Sequence, residues 1–166
     1  LKSKIANKTK DIFMDVFKEA KAIKDKLVKI RRQLHMYPEI GFKEFKTQKF
    51  IIGELKKLKI PFKVMAGTGV VGVVKGCRPG KTIAVRADID ALPITEENNK
   101  PYKSRNKGMM HACGHDNNTT CLLGVAMLLS KMKKSAANFR SPRASSRYST
   151  RTTWSTSWSL RVTRTL

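Results

Sequence analysis

The chain has 166 residues, with 35 Lys and Arg against 12 Asp and Glu, and its formal net charge is +23. This length is enough for one domain with a hydrophobic core. The three cysteines, Cys77, Cys113 and Cys121, are odd in number and scattered, which excludes a disulfide-stapled scaffold and predicts a reducing, cytoplasmic location. No apolar run reaches the ~20 residues of a membrane span, and no apolar signal-peptide core follows the Lys-rich first residues, so we expect no membrane partner.

The positive charge is typical of proteins that bind nucleic acids, because clustered Lys and Arg neutralise phosphates. Here, however, most Lys lie on the polar faces of amphipathic helices, aromatic residues are few, and no nucleic-acid-binding motif is present. We therefore expect no specific nucleic-acid partner. A basic nucleic-acid-binding protein stays open as an alternative function.

The basic residues change type along the chain, and this change divides it into parts. All 24 Lys lie at or before Lys134, whereas residues 135–166 contain six Arg, 14 Ser and Thr, and no Lys, Asp or Glu. We predict a Lys-rich helical extension at 1–23, a folded part at 24–134 and a tail at 135–166. The tail shows no helical or strand periodicity, so we predict that it is disordered. Its composition is also what a shifted reading frame would produce.

The first third of the chain has the apolar spacing of amphipathic helices. Residues 1–36 are predicted to be helical, and Tyr37-Pro38 ends this stretch because the residue before proline avoids the α region. Gly41 then turns the chain, and residues 42–58 are predicted as a second amphipathic helix that Pro61 stops. Its candidate core positions are Phe45, Phe50, Ile51, Leu55 and Leu58.

Three short strands follow, at residues 62–65, 70–75 and 82–86. Val and Ile dominate them, and Gly67-Thr68-Gly69 and Arg78-Pro79-Gly80 lie between them as turns. The sequence therefore predicts an α/β fold.

Two carboxylates, Asp88 and Asp90, come directly after the third strand. They are two residues apart, so in an extended chain they share a face. Ligands of α/β sheets bind beyond the carboxyl ends of strands, which makes this pair a candidate site. The alternative interpretation is a solvated acidic turn before Pro93.

The segment from Met110 to Asp116 places two His, one Cys and one Asp within seven residues. The Cys113 thiolate and the His115 imidazole are two residues apart with Gly114 between them, so they can turn toward one divalent metal. An apolar run at residues 120–132 follows and predicts a helix, which would hold both ligands on a rigid element. The alternative is a buried Cys and a hydrogen-bonded His near a helix cap.

Three separated stretches resemble one family in order and spacing. They are Arg31-Arg32-Gln33-Leu34-His35 through Pro38-Glu39-Ile40-Gly41-Phe42; Gly67-Thr68-Gly69-Val70-Val71-Gly72 followed by residues 86–94; and Met110 to Asp116. Residues 24–134 thus resemble the amino-terminal part of the metal-dependent amidohydrolases that include hippurate hydrolase, N-acyl-amino-acid amidohydrolases and auxin-conjugate hydrolases.

The resemblance implies a fold and a chemistry. It implies a partial zinc-peptidase-like α/β catalytic domain of two helices, three short strands and a helix after the metal loop, without the family's lid domain. It also implies hydrolysis of the amide bond of a small N-acyl amino acid with one or two divalent ions, Mn²⁺ or Zn²⁺. The complete family enzyme is compatible with a homodimer.

By match to the family motif, the resemblance assigns roles to residues of this chain. Cys113 and His115 would be metal ligands, and Asp88 would be a supporting residue near the metals. Asp116, Asp90 and His111 would lie next to the ligands and orient them, as carboxylates orient metal-bound imidazoles.

The chain also departs from the family pattern. The family places its base, a Glu, and further ligands downstream, but no Asp, Glu or His follows Asp116. Asn118 and Tyr37 stand where the family usually has His, and Glu96 and Glu97, in a polar loop, match no family base. We therefore predict a truncated, inactive form as it stands, with a non-catalytic pseudoenzyme as a further alternative.

Overall fold

The computed structural model describes residues 16–76, 81–132 and 157–164. Helix α1 covers residues 16–22 of this described part. The elements that follow are α2 (Lys24–Met36), α3 (Phe45–Lys57), β1 (Phe62–Met65), β2 (Gly69–Gly76), β3 (Ile83–Asp88), α4 (His115–Met132) and β4 (Ser157–Arg164). The predicted turn at Arg78-Pro79-Gly80 and the predicted helical residues 1–15 lie outside the described residues. Among those that are described, no helix is long and apolar enough to cross a membrane.

The two helices after α1 end close to the predicted residues, but the stretch predicted as one helix over residues 1–36 is divided by a turn at Ile23. Helix α2 ends at Met36, before Tyr37-Pro38, as predicted. Helix α3 begins at Phe45, where the Glu39 carboxylate accepts hydrogen bonds from the amides of Lys46 and Thr47 at 3.1 and 2.8 Å. These bonds satisfy amide groups that the first turn of a helix leaves without partners.

The predicted core positions of α3 are confirmed in the middle of the helix and wrong at its start. Ile51 and Leu55 are fully buried, and Phe50 and Leu58 pack against the core as partly buried side chains. Phe45, however, is 54% exposed. It is the first residue of α3, and the buried Thr47 lies only two residues further on. Residues two apart lie on nearly opposite sides of a helix, so Phe45 is on the face turned away from the core.

The four strands form one sheet in the order β1-β2-β4-β3. Strands β1 and β2 are antiparallel, with Met65 opposite Gly69, so the predicted turn at Gly67-Thr68-Gly69 is confirmed. Strand β3 is an edge of this described sheet, and its Ile83 and Val85 are 63% and 40% exposed.

Strand β4 corrects the prediction for part of the tail. Residues 135–166 were predicted to be disordered, but residues 157–164 pair in parallel with β2 and antiparallel with β3. Trp158 and Leu160 are fully buried. They recur with Val162 at every second position, which is the spacing of a strand and the signal that the Ser/Thr/Arg composition obscured. Residues 135–156 lie outside the described part.

The core lies between the sheet and the helices α2, α3 and α4. Side chains from both sides are fully buried there, among them Ile51, Leu55, Leu123, Trp158 and Leu160. Gly124 brings α4 close to α2, because an added Cβ would meet a methyl carbon of Leu27 at 3.1 Å. This packing sets the start of α4 beside the end of β3, where the candidate site lies.

Candidate metal site

The metal loop, residues 111–114, turns directly into helix α4. Gly114 has a φ of +81°, a conformation that suits glycine, and its carbonyl accepts the amides of Asn117 and Asn118 at 3.0 and 3.2 Å. These bonds start the helix at His115, five residues before the predicted start at Thr120. The apolar pattern missed this first turn because its residues are polar.

Strand β3 runs two residues further than predicted and includes Asp88 as its last residue. The imidazole of His115 is held by Asp90, the first acid after β3. Its Nδ1 lies 3.0 Å from the backbone oxygen of Asp90 and 3.0 Å from the carboxylate Oδ1. As a donor, Nδ1 satisfies both oxygens and leaves Nε2 as the nitrogen available to a metal. The side chains of His115 and Asp90 are 17% and 26% exposed, so the pair borders solvent.

Cys113 is exposed and is a free thiol. A thiolate is a soft ligand that suits zinc, and it holds the ion together with further donors around it. In the parts of the chain that the structure describes, no group of three or more His, Cys, Asp and Glu could hold a metal ion together. By their donor chemistry, Cys113 and His115 would supply two ligands to a metal, fewer than the three that a catalytic site usually takes from the protein.

The other predicted acid, Asp88, is turned to a different partner. Its Oδ1 accepts a hydrogen bond from the Arg86 guanidinium at 2.5 Å, and its backbone oxygen accepts one from the Thr119 hydroxyl at 3.0 Å. The Asp88 side chain is 37% exposed. Asp88 thus ties β3 to the first turns of α4, while Asp90 contacts the imidazole.

Asp116, predicted to support the ligands, is buried in an ion-pair network. Its Oδ2 accepts a hydrogen bond from the His35 Nδ1 and forms an ion pair with the Arg31 Nε, both at 2.8 Å, and its side chain is 0% exposed. Burying a carboxylate is costly unless it is paired and hydrogen-bonded. Arg31 and His35 of α2 supply that pairing for Oδ2, whereas Oδ1 has no hydrogen-bond partner among the described residues.

His35 and Glu96 belong to the same network, and sequence reasoning missed their roles. The His35 Nε2 lies 3.0 Å from Glu96 Oε1, so each ring nitrogen faces a carboxylate. Glu96 lies in a loop, as predicted, but its side chain is buried and the residue is 3% exposed. Burial by itself would raise the pKa of Glu96, but hydrogen bonds from the Ser104 amide, His35 and Asn98 together lower it below the usual value.

His111 lies beside this network, with its ring centroid 6.4 Å from that of His35. It is 4% exposed, and neither ring nitrogen has a hydrogen-bond partner in the described part of the chain. Burial lowers the pKa of His111 to about 4; the nearby Asp116 opposes this shift, and the His35 charge adds to it. A neutral imidazole is therefore the form that this site holds at neutral pH.

Comparison with known proteins bears directly on this loop and the strand before it. Residues 84–142, which contain Asp88, Asp90 and the metal loop, match the family model described as Peptidase family M20/M25/M40. Over these residues the chain is similar to part of an M20 family domain. Members of the M20 family are metal-dependent hydrolases that act on amide bonds.

Two relatives and one solved structure show how far the similarity extends. Thermostable carboxypeptidase 1 of Saccharolobus solfataricus is 44% identical over 125 residues, which are 74% of this chain and 32% of the relative. N-acetyl-L-cysteine deacetylase of Bacillus subtilis is 48% identical over 114 residues, which are 68% and 27% of the two chains.

The solved structure is the YXEP protein of Bacillus subtilis, described as a dinuclear metal binding peptidase of the M20 family. It is 36% identical to this chain, with a TM-score of 0.67 over 86% of this chain and 35% of that one. The M20 catalytic fold of the described residues is thereby confirmed. The chain spans about a third of the length of the relatives that it matches.

Proposed function

We propose that this chain supplies the amino-terminal half of a metal-dependent amidohydrolase site for N-acyl amino acids. The observation that carries the proposal is the loop from His111 to His115 at the start of α4, with the His115 ring held by Asp90. The same segment lies in the match to the M20 family, whose relatives include an N-acetyl-L-cysteine deacetylase.

The chemistry of the donors agrees with the proposal. Cys113 and the Nε2 of His115 would hold Mn²⁺ or Zn²⁺, which when bound polarises a carbonyl and makes water more acidic. Asp90 fixes the tautomer of His115, because its oxygens accept the proton on Nδ1. Asp116 lies buried on the opposite side of the same helical turn and holds that turn in place.

We propose further that the 166-residue chain does not turn over substrate by itself. Hydrolysis needs a base within ~3 Å of the attacking water. Glu96 lies close in sequence to the metal loop, but it is buried and accepts hydrogen bonds from His35 and Ser104. These bonds occupy its carboxylate, and no acid follows Asp116 in the sequence.

The finer features of the substrate and setting are also proposals. Hippurate-like N-benzoyl and N-acetyl amino acids are the substrates expected of the complete site, on the strength of the family resemblance. A cytoplasmic location agrees with the free thiol of Cys113, and a homodimer agrees with the resemblance to the complete family enzymes.

The test is an amidase assay of the purified chain. N-acetyl and N-benzoyl amino acids are incubated with added manganese or zinc, and free amino acid is measured for the wild-type chain and for Cys113→Ala. We expect equal, background rates for both. Turnover by the wild type that disappears in Cys113→Ala would show that a base acts in this chain and would overturn the claim of inactivity.

A further inference from the structure

We propose that His35 is a positioning residue that sets the affinity of the metal loop by holding Asp116 in place. This inference rests on the proposed metal site at Cys113 and His115. Neither His35 nor its partners are metal ligands, and they act through the first turn of α4.

The network joins three separate segments of the chain. His35 projects from α2, Asp116 is the second residue of α4, and Glu96 lies in the long loop between β3 and the metal loop. Glu96 in turn accepts the Ser104 amide at 2.6 Å, which closes its loop. One imidazole thus fixes the start of α4 against two other elements.

The network pairs basic groups with acidic ones. Each ring nitrogen of His35 faces a carboxylate, and the Arg31 guanidinium forms an ion pair with Asp116. Two basic side chains thus face the two buried acids, Asp116 and Glu96. Such pairing allows the imidazole and the two carboxylates to be buried together, while the Arg31 side chain is 33% exposed.

The network is connected to the ligands through the helical turn itself. Asp116 follows His115 directly in the chain, and the Asp116 backbone oxygen accepts the Thr120 hydroxyl at 2.7 Å. On the other side of this turn, His115 is fixed to Asp90. If Asp116 moves, the ring of His115 and the preceding Cys113 change their mutual position, and a two-donor site loses affinity.

The two arms of His35 can be removed one at a time. Asn places its side-chain nitrogen where Nδ1 of His lies, so His35→Asn keeps a donor for Asp116 and loses the bond to Glu96. Gln places its nitrogen near the position of Nε2, so His35→Gln keeps the bond to Glu96 and loses Asp116. Both variants remove the same ring, which makes them matched controls for each other.

The probe is Co²⁺ alone, added to the reduced 166-residue chain, with binding followed by the thiolate-to-cobalt absorption band. Since residues that orient metal ligands change affinity about 10–100-fold, we expect His35→Gln to bind Co²⁺ about tenfold more weakly or worse. His35→Asn should stay closer to the wild type. Equal losses in both variants, or a larger loss in His35→Asn, would overturn the proposal.

A variant at a different buried hydrogen bond separates the effect of His35 on metal affinity from the effect of overall stability. Thr68 donates a 2.6 Å hydrogen bond to the buried Glu44, between the β1–β2 turn and α3. Thr68→Val should lower the unfolding midpoint yet bind Co²⁺ with wild-type affinity. A loss of affinity in Thr68→Val equal to that in His35→Gln would show that affinity follows overall stability, and the proposal would fail.

Amide exchange in the metal-free chain tests the positioning independently of the metal. Residues 111–116 should exchange faster in His35→Gln than in His35→Asn. If the wild-type chain gives no cobalt band that depends on Cys113, the proposed metal site fails, and this exchange difference alone decides the role of His35. Equal exchange in the two variants would overturn it.

Discussion

The first turn of α4 has two sides, and the polar side chains on one side have more partners within the chain than those on the other. On one side, Asp116 is 0% exposed and is bound by Arg31 and His35 at 2.8 Å. On the other side, Cys113 is exposed, and His115 has one nitrogen fixed by Asp90 while the other points away from that contact. The Asp116 side is paired through Oδ2, although Oδ1 has no hydrogen-bond partner among the described residues. On the other side, Cys113 and His115 are, in our proposal, two of the donors that a metal site needs.

The largest expected effect on stability comes from the side of Asp116. Asp116→Ala removes the carboxylate that pairs with Arg31 and with the buried His35, and breaking a buried pair costs about 3–5 kcal/mol of unfolding free energy. Urea unfolding measures this loss. Cys113→Ser in the same loop is the control and should change stability by less than about 0.5 kcal/mol, because its side chain is exposed. Equal losses in the two variants would erase the distinction between the two sides.

A second test concerns β4, the strand between β2 and β3. It pairs with β3, which ends at Asp88, two residues before Asp90. Leu160 is fully buried in β4, so Leu160→Ala should cost about 2–5 kcal/mol. Ile83→Ala on the exposed edge of the sheet is the matched control, with a cost below about 1 kcal/mol. An unchanged melting curve for Leu160→Ala would favour the original prediction of a disordered tail.

The part of the molecule that the sequence predicted best is its regular framework. Apolar spacing located α2 and α3, and Val-rich runs between glycines located β1 and β2, because burial of one face imposes these periods. The metal loop was predicted from residue types alone. The network was not, because the partners of His35 lie 61 and 81 residues away and no local pattern encodes such pairing. Strand β4 was missed because polar residues alternate with only three apolar ones.

Acid should weaken the network through Glu96. The folded chain lowers the pKa of Glu96 below its usual 4.5, so this carboxylate stabilises the fold above that pH. The contribution is lost as the pH falls through the lowered pKa, because the unfolded chain takes up the proton first. Unfolding free energies from pH 6 to 3 should therefore fall less steeply in Glu96→Gln than in the wild type. Parallel curves for the two proteins would contradict a role for this group.

The measurement that tests the half-site most directly is the zinc affinity of the reduced chain, determined by competition with a chromophoric chelator. A catalytic zinc site usually has about three protein ligands, so a site built from Cys113 and His115 should bind one Zn²⁺ weakly. Binding should be lost in both Cys113→Ala and His115→Ala and retained in Cys121→Ala. Zinc affinity that stays at the wild-type level in Cys113→Ala and His115→Ala would contradict the account.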